Sequence, residues 1–339
     1  MTRLGPLWQA IVRFWAEQEA GTAMALVRIL LALTVVYDLL YIWWLDLVIP
    51  LFVAEEYGGW SHSLSRPSLN LWLHWFGAST EAGLALHAGM TTAAVALLVG
   101  FRTRVAATLL LVLWVQWTGV LPTADRGIDQ LIRNILLIMV FGHFGQTLSV
   151  DAWARTGRWV DLTAVPSWPR RLILAQLVLM YTSAGFMKSG ITWWPMGGLS
   201  ALYFALQDPS VAAFDFHWLR GQPWFFVTQL GTLTTVLYQC TYPVVLLLLW
   251  ARYVPERAGR LGGWAQRYRL EWIWLILGAW FHVNLGLVMN LGIFPWAMLA
   301  LYPAWFSSDE WHRWYHRGAE RWRRQRPSST PEPPRSVPG

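Results

Sequence analysis

Cysteine, lysine and charged residues in general are scarce in this sequence. The 339 residues include one cysteine, Cys240, and one lysine, Lys188, and only 13% of them are charged. A single cysteine excludes an internal disulfide and a Cys-x-x-Cys redox pair. Soluble domains carry about 25% charged residues, so this composition excludes an ordinary soluble domain.

Motifs for metals and nucleotides are absent as well. The sequence has no glycine-rich phosphate loop, no H-E-x-x-H pattern and no internal repeat, so we expect no metal site. The net charge of +7 comes from arginines that stand in short segments between apolar blocks. Nucleic-acid binding needs cationic side chains clustered on one solvated face, and we therefore expect no nucleic-acid partner.

Long apolar blocks dominate what is present. The chain is 55% hydrophobic and contains 26 tryptophans, a residue that favours the membrane–water boundary. Because a membrane-spanning helix needs about 20 mostly apolar residues, the sequence predicts an all-α integral membrane protein, a bundle of about eight transmembrane helices in the lipid bilayer. The predicted spans are 23–44, 81–100, 104–121, 130–147, 172–190, 226–250, 270–290 and 291–306.

The last two blocks allow two interpretations. Residues 270–306 form either two full spans or one span followed by a re-entrant segment, with a turn near Asn290, Gly292 and Pro295. The Arg-rich loops alternate with loops that carry Asp and Glu. By the positive-inside rule, this alternation places both termini in the cytoplasm and the protein in the cytoplasmic (inner) membrane.

Three regions follow from these patterns. Residues 1–20 show helical spacing of apolar residues and predict an amphipathic helix at the membrane interface. Residues 21–315 form the transmembrane domain. Residues 316–339 are basic and then rich in Pro and Ser, which predicts a disordered cytoplasmic tail.

Polar residues inside predicted spans are the first candidates for function, because they are costly in a bilayer. Lys188 is foremost: an amine can lose its proton when desolvated and act as a base, whereas arginine stays charged. The alternative is a lysine that anchors a helix end at the membrane surface. His282 is the second candidate, and we expect Arg28 to form a structural ion pair. The other candidates are Gln176, Tyr181, Asn284, Asp38, His87, Arg133 and His143.

Two segments carry a family resemblance. The first, from Gln176 to Lys188, reads Q-x-x-x-x-Y-x-x-A-G-x-x-K and is followed by tryptophans and glycines at 193–198. The second begins at Phe281-His282 and continues through 291–298, Phe306 and 309–311. Together with Arg28, 100–104 and 149–151, these segments resemble the membrane domain of the vitamin K-dependent gamma-carboxylase family, also called HTTM proteins, over roughly residues 20 to 315.

The resemblance implies a role for each candidate. Lys188 would be the base that deprotonates a reduced quinone, menaquinol or vitamin K hydroquinone, and His282 would line the same cavity. Gln176, Tyr181, Asn284 and Arg28 would belong to that pocket.

Two other functions stay open. One is a non-catalytic membrane module for the maturation, export or immunity of a secreted peptide, with that peptide or another membrane protein as partner. The other is a transporter, which the absence of an inverted repeat disfavours.

Overall fold

The structure is a computed structural model that describes residues 4–61, 70–253 and 259–325. Those residues are mostly helical. The first half of the chain contains α1 Leu4–Ala16, β1 Gln18–Ala20, α2 Thr22–Trp44, α3 Val48–Phe52, α4 Leu71–Phe76, α5 Thr80–Val99, α6 Thr103–Val120, α7 Gly127–Phe141, α8 Val150–Thr156 and β2 Ala164–Pro166. The second half contains α9 Trp168–Phe186, α10 Ala201–Gln207, α11 Trp224–Cys240, α12 Val244–Tyr253, α13 Gly259–Arg267, α14 Glu271–Val288, α15 Phe294–Ala300 and α16 Ser308–Gln325.

Four of these helices are long and apolar enough to cross a membrane, namely α2, α5, α6 and α14. They coincide with four of the predicted spans. Helices α11 and α12 are bent by 50° at the break between them, and they make a fifth candidate if the pair is one broken span. The described residues thus form a mostly helical protein with several apolar helices, consistent with a membrane protein.

The remaining predicted spans correspond to shorter or more polar helices. Helix α7 has 15 residues and is about 22 Å long, less than the apolar thickness of a bilayer. Helix α9 is longer, but Arg170 and Arg171 lie in its first turn. Residues 291–306 form the seven-residue α15 and a 3-10 turn at Tyr302–Trp305. The predicted turn before α15 is present, with Gly292 at a φ of 56°.

The described residues are mostly helical, as predicted, with one short sheet and two helix ends that the sequence pattern did not show. Strand β1 pairs antiparallel with β2, with Gln18 opposite Pro166, and three-residue strands are too short to show an alternating pattern in sequence. Helix α1 ends at Ala16 rather than at residue 20. Helix α16 continues to Gln325, so the boundary predicted at 316 falls inside a helix; the predicted tail beyond it, 327–339, lies outside the described residues.

Ion pairs fix the short sheet to the bundle. Arg170 is almost fully buried; its Nε donates to Glu19 Oε1 at 2.6 Å and its Nη1 donates to the carbonyl of Ala304 at 3.0 Å. Arg171 pairs with Glu17, and its guanidinium lies 4.3 Å from the centre of the Phe14 ring. Helix α1 and the first strand are thereby held against α9.

Arg28 is a buried cation on α2 that binds carbonyl oxygens. Its Nη1 donates to Leu97 and Leu98 at 2.7 and 2.8 Å, and its Nη2 donates to Leu148 at 2.6 Å. The ion pair expected for Arg28 is therefore wrong, because its direct partners are backbone carbonyls at the end of α5 and at Leu148. Gly100 makes room, since a Cβ there would lie 2.5 Å from Arg28 Nη1.

Replacing this guanidinium should weaken the whole fold. We expect Arg28→Leu to lower the free energy of unfolding by on the order of 3 kcal/mol, because it removes three hydrogen bonds from a charged group to buried carbonyls. Thermal unfolding in lipid nanodiscs measures this effect. The matched control is Arg158→Leu at an exposed arginine, and equal losses in the two variants would contradict the prediction.

Glu310 on α16 joins Arg252, at the end of α12, to Arg269. It pairs with Arg252, and its Oε1 accepts from Arg269 Nη2 at 3.0 Å. Burial alone raises the pKa of the Glu310 carboxyl, but Arg252, the backbone N–H of Ser307 and Arg269 lower it more, so its pKa lies below the ordinary value.

This pKa shift predicts a loss of stability in acid. A carboxyl whose pKa is lowered by folding stabilises the folded state fully above its unfolded pKa, about 4.3 for Glu, and this contribution disappears as the pH falls towards the folded value. We expect the melting temperature of the wild type to fall more steeply below about pH 4.5 than that of Glu310→Gln. Parallel pH profiles would contradict this prediction.

Candidate functional site

Lys188 lies just beyond the end of α9, where that helix meets α11. Its backbone N–H donates to the carbonyl of Gly185 at 3.2 Å and so extends the last turn. A Cβ on Gly185 would lie 2.9 Å from the backbone of Gln239 and Cys240. Only glycine permits so close an approach, and this approach places Gln239 beside the lysine.

The Lys188 amine has two hydrogen-bond acceptors and an aromatic neighbour. Its Nζ donates to the carbonyl of Ala184 at 2.9 Å and to Gln239 Oε1 at 2.6 Å. The amine lies 4.7 Å from the centre of the Trp193 ring. The indole of Trp194 donates to the Lys188 carbonyl at 2.9 Å, which fixes the backbone of this segment.

This geometry suits an amine in either protonation state. A neutral amine has two N–H bonds and one lone pair, so the two acceptors engage both N–H bonds and leave the lone pair directed elsewhere. A protonated amine has three N–H bonds, and the same two acceptors, with the Trp193 ring, then stabilise the cation. The surroundings can therefore hold Lys188 before and after it takes up a proton.

Tyr181 and His282 form a second, fully buried group. The Tyr181 hydroxyl is 2.6 Å from His282 Nε2 and 3.3 Å from the Tyr302 hydroxyl. The Tyr181 ring stacks on Tyr242 with 4.2 Å between centroids, and its centroid is 5.3 Å from that of Tyr238. Four tyrosines and one histidine, which we call the Tyr–His cluster, thus meet in the core.

Three members of this cluster were not candidates in the sequence. Tyr238 and Tyr242 are four residues apart and share one side of the chain where α11 ends, a signal that helical spacing offers. Tyr302 belongs to the 3-10 turn after α15, and its place in the cluster depends on the tertiary fold. Gly278 was also missed: a Cβ there would lie 2.2 Å from the hydroxyls of both Tyr238 and Tyr302.

Lys188 and His282 each lie near residues of α9 and α11, but no hydrogen bond joins the two side chains. Tyr238 packs against Phe281, the residue before His282, and the residue after Tyr238, Gln239, binds Lys188. Within the described residues, the structure links the two candidates through α9 and α11, without a direct hydrogen bond.

The other residues predicted to line the pocket do not come together in the structure. Gln176 is half-buried on α9 and makes no side-chain hydrogen bond within the described part of the chain. Asn284 donates to the carbonyl of Trp280 at 2.7 Å, on its own helix. Arg28 lies at the end of α5, where it has the structural role given above.

The remaining polar candidates have partners outside the Lys188 site and the Tyr–His cluster. His87 Nε2 lies 3.0 Å from the Leu39 carbonyl, and Arg133 pairs with Asp125 at 2.7 Å. Asp38 Oδ2 pairs with Arg126 Nη2 at 2.9 Å. His143 Nε2 lies 3.4 Å from Arg104 Nη2.

A cavity of about 610 Å³ lies between the start of α7 and the turn before α15, and none of its lining residues belongs to the Tyr–His cluster. Its lining includes Met180, which precedes Tyr181, and Phe294, whose ring packs edge-on against His282 with 5.5 Å between centroids. Arg126 and Gly292 lie at its polar end, where Arg126 is also bonded to Asp129. The volume is in the range of small-molecule sites.

Comparison with protein-family models, with characterised proteins and with solved structures finds no match for this chain. Among the residues that the structure describes, no group of three or more His, Cys, Asp or Glu side chains could hold a metal ion.

The close fit at Gly278 gives a stability prediction. We expect Gly278→Ala to destabilise the protein by about 1–3 kcal/mol, because the added methyl displaces two tyrosine hydroxyls in a packed core. Thermal unfolding measures the change. Gly263→Ala is the matched control, since no atom lies within 4 Å of its Cβ position, and alanine favours the helix there. An unchanged melting temperature for Gly278→Ala would contradict the packing argument.

Proposed function

We propose that this chain is a multi-pass protein of the cytoplasmic membrane, similar to the HTTM group, in which Lys188 acts as a base on a reduced quinone. The observation that carries the proposal is the setting of Lys188. The only lysine of the chain lies where two helices meet, with two acceptors and one indole ring around its amine.

The proposal includes about eight membrane segments with both termini in the cytoplasm. Contacts between loops support this arrangement. Loops predicted to be cytoplasmic meet one another, as when Asp151 accepts from the backbone N–H groups of Arg102 and Thr103. Loops predicted on the opposite face also meet, as when the Asn290 N–H donates to the Val211 carbonyl. In this arrangement α7, α9 and α15 complete the bundle as short or broken segments.

Apolar surface around Lys188 supports a substrate that arrives from the lipid. Several side chains in the segment 186–196 are strongly exposed, with Met187 at 78% and Met196 at 86%. Phe186 and Ile191 are also exposed. In a bilayer such a surface contacts lipid, so a lipid-soluble quinone can approach the amine without crossing water.

The residues around the amine suit this chemistry. A reduced quinone supplies an acidic hydroxyl group to the site. The rings of Trp193 and Trp194 would hold its apolar ring, and the Lys188 lone pair would accept the hydroxyl proton. The Ala184 carbonyl and Gln239 Oε1 would then stabilise the ammonium, because hydrogen bonds to a charged form favour that form.

A non-catalytic module for a secreted peptide is the second candidate function. The observation that favours it is that the Lys188 amine already has two partners, as a structural anchor would. The two functions predict different results when the amine is removed: a base would be needed for activity, whereas an anchor would not.

The test is epoxide formation by purified protein in nanodiscs supplied with menaquinol or vitamin K hydroquinone under oxygen. One hydroquinone and one dioxygen give one quinone epoxide and one water, and mass spectrometry measures the epoxide. We expect Lys188→Ala to lower the rate by about 100-fold or more, the usual contribution of a general base. We expect Lys188→Arg to be as inactive, since arginine keeps its proton.

Two comparisons make the result interpretable. Arg220→Ala removes an exposed cation from another loop and should leave the rate unchanged. Thermal unfolding checks that the Lys188 variants stay folded. Epoxide at equal rates in wild type and Lys188→Ala would contradict the role of Lys188. If wild type gives no epoxide, the peptide module gains support, and co-purification of a partner with Lys188→Ala is the next measurement.

A further inference from the structure

A polar cavity of about 360 Å³ lies between the start of α6 and helix α8. Three arginines line it, Arg102 and Arg104 at the start of α6 and Arg155 on α8, together with His143 and Asp151. We call it the arginine cavity. Cationic side chains from two separate parts of the chain share this space, which makes it a candidate site for an anion.

Asp151, the carboxylate in this lining, is already engaged by the start of α6. Its Oδ1 accepts from the Arg102 N–H at 2.7 Å. Its Oδ2 accepts from the Thr103 N–H at 2.8 Å and from the Thr103 hydroxyl at 2.7 Å. The first N–H groups of a helix have no partner within that helix, and Asp151 supplies one. Among the residues that the structure describes, it forms no ion pair with the arginine side chains of the cavity.

Two of the three arginines have no carboxylate partner. Arg155 Nη2 donates to Asp161 Oδ2 at 3.0 Å. Within the described part of the chain, the Arg102 guanidinium forms neither a hydrogen bond nor an ion pair, and the partner of Arg104 is His143 Nε2, 3.4 Å from Nη2. The cavity therefore carries two positive charges that no carboxylate compensates. The planar fork of a guanidinium matches the oxygen atoms of a phosphate group.

Apolar side chains continue from the cavity along α6. Val105 lines the cavity and is 56% exposed. Leu109 and Val112 follow it at helical spacing, and both are exposed. Helix α6 is one of the four helices that are long and apolar enough to cross a membrane. In a bilayer this row contacts acyl chains, and the cavity at its end lies where the head of the same lipid would be.

Two tryptophans also favour the level of the lipid headgroups. Trp153 and Trp159 flank Arg155 in the chain, and both are exposed. Their rings stack with 6.4 Å between centroids. Because tryptophan favours the boundary between headgroups and acyl chains, the arginines beside this pair are at the depth of lipid phosphates.

We propose that the arginine cavity binds the phosphate group of an anionic phospholipid, whose acyl chains lie along the exposed row on α6. Basic pockets at the membrane surface bind anionic headgroups. The lipid is anionic rather than zwitterionic, because the lining has more cations than carboxylates and would repel a choline ammonium. The site requires that the chain lie in a membrane, but it does not depend on the role of Lys188.

Native mass spectrometry of the purified chain in detergent tests this site. Phosphatidylglycerol is titrated in, and phosphatidylcholine with the same acyl chains is the zwitterionic comparison. We expect the wild type to bind its first phosphatidylglycerol more tightly than phosphatidylcholine. We expect Arg102→Gln/Arg104→Gln to weaken phosphatidylglycerol binding on the order of 10-fold, because two cations are lost. Equal affinities of the wild type for the two lipids would overturn the proposal.

A matched control separates a site from the general attraction of a basic protein. Arg260→Gln/Arg267→Gln removes the same charge from exposed arginines of α13 and should leave the first phosphatidylglycerol bound as tightly as in the wild type. Equal weakening in the two double variants would overturn the proposal. Val105→Glu, at an exposed position, brings a negative charge to the cavity without removing an arginine, and it should also weaken binding.

Inorganic phosphate distinguishes a lipid headgroup from a soluble phosphate. Thermal unfolding in detergent is followed with phosphatidylglycerol or with inorganic phosphate. We expect phosphatidylglycerol to raise the melting temperature of the wild type more than that of Arg102→Gln/Arg104→Gln, and inorganic phosphate to change neither. Stabilisation by inorganic phosphate that is lost in the double variant would indicate a site for a soluble phosphate and would overturn the assignment to a lipid.

Discussion

The bond between the Arg28 guanidinium and the end of α5 is the interaction on which the rest of the bundle depends. The last carbonyls of a helix have no partner within that helix, and an apolar environment offers none from solvent. Arg28 reaches them from α2, and its second nitrogen bonds the carbonyl of Leu148. One side chain therefore fixes three chain segments at a common point. The left-handed Gly100 that ends α5 leaves the space this contact needs.

The need of buried polar groups for hydrogen-bond partners also explains where the other charges lie. Arg170 is buried and bonded to both Glu19 and a backbone carbonyl, and Glu310 is shared by Arg252 and Arg269. A buried charge is tolerated only when it is paired and hydrogen-bonded. These pairs connect segments far apart in the chain, namely β1 with α9 and α12 with α16. They hold together the ends of helices whose long apolar surfaces face outwards.

The Lys188 site and the Tyr–His cluster differ in burial and in how their polar atoms are paired. The Lys188 amine is half-buried, has its hydrogen bonds supplied by the chain, and lies under exposed apolar side chains. The Tyr–His cluster is closed and uncharged, and Tyr181 pairs there with His282 and Tyr302. The first arrangement leaves a cationic group near exposed apolar side chains, and the second is a packed aromatic core. Gly185 and Gly278 make these groups possible, because each lets a neighbour approach where a methyl group would not fit.

The sequence by itself determined the class of protein and its most unusual residue. Long apolar blocks and scarce charge predict membrane helices, and α2, α5, α6 and α14 follow the predicted spans, since hydropathy over about 20 residues is a local property. Lys188 stood out by composition alone. Only the tertiary structure decided that Arg28 binds carbonyls rather than a carboxylate, and that Tyr238, Tyr242 and Tyr302 contact Tyr181, the partner of His282. The physical reason is that a hydrogen-bond partner is set by which segments pack together, and segments such as 28, 97 and 148 are brought together only by the complete fold.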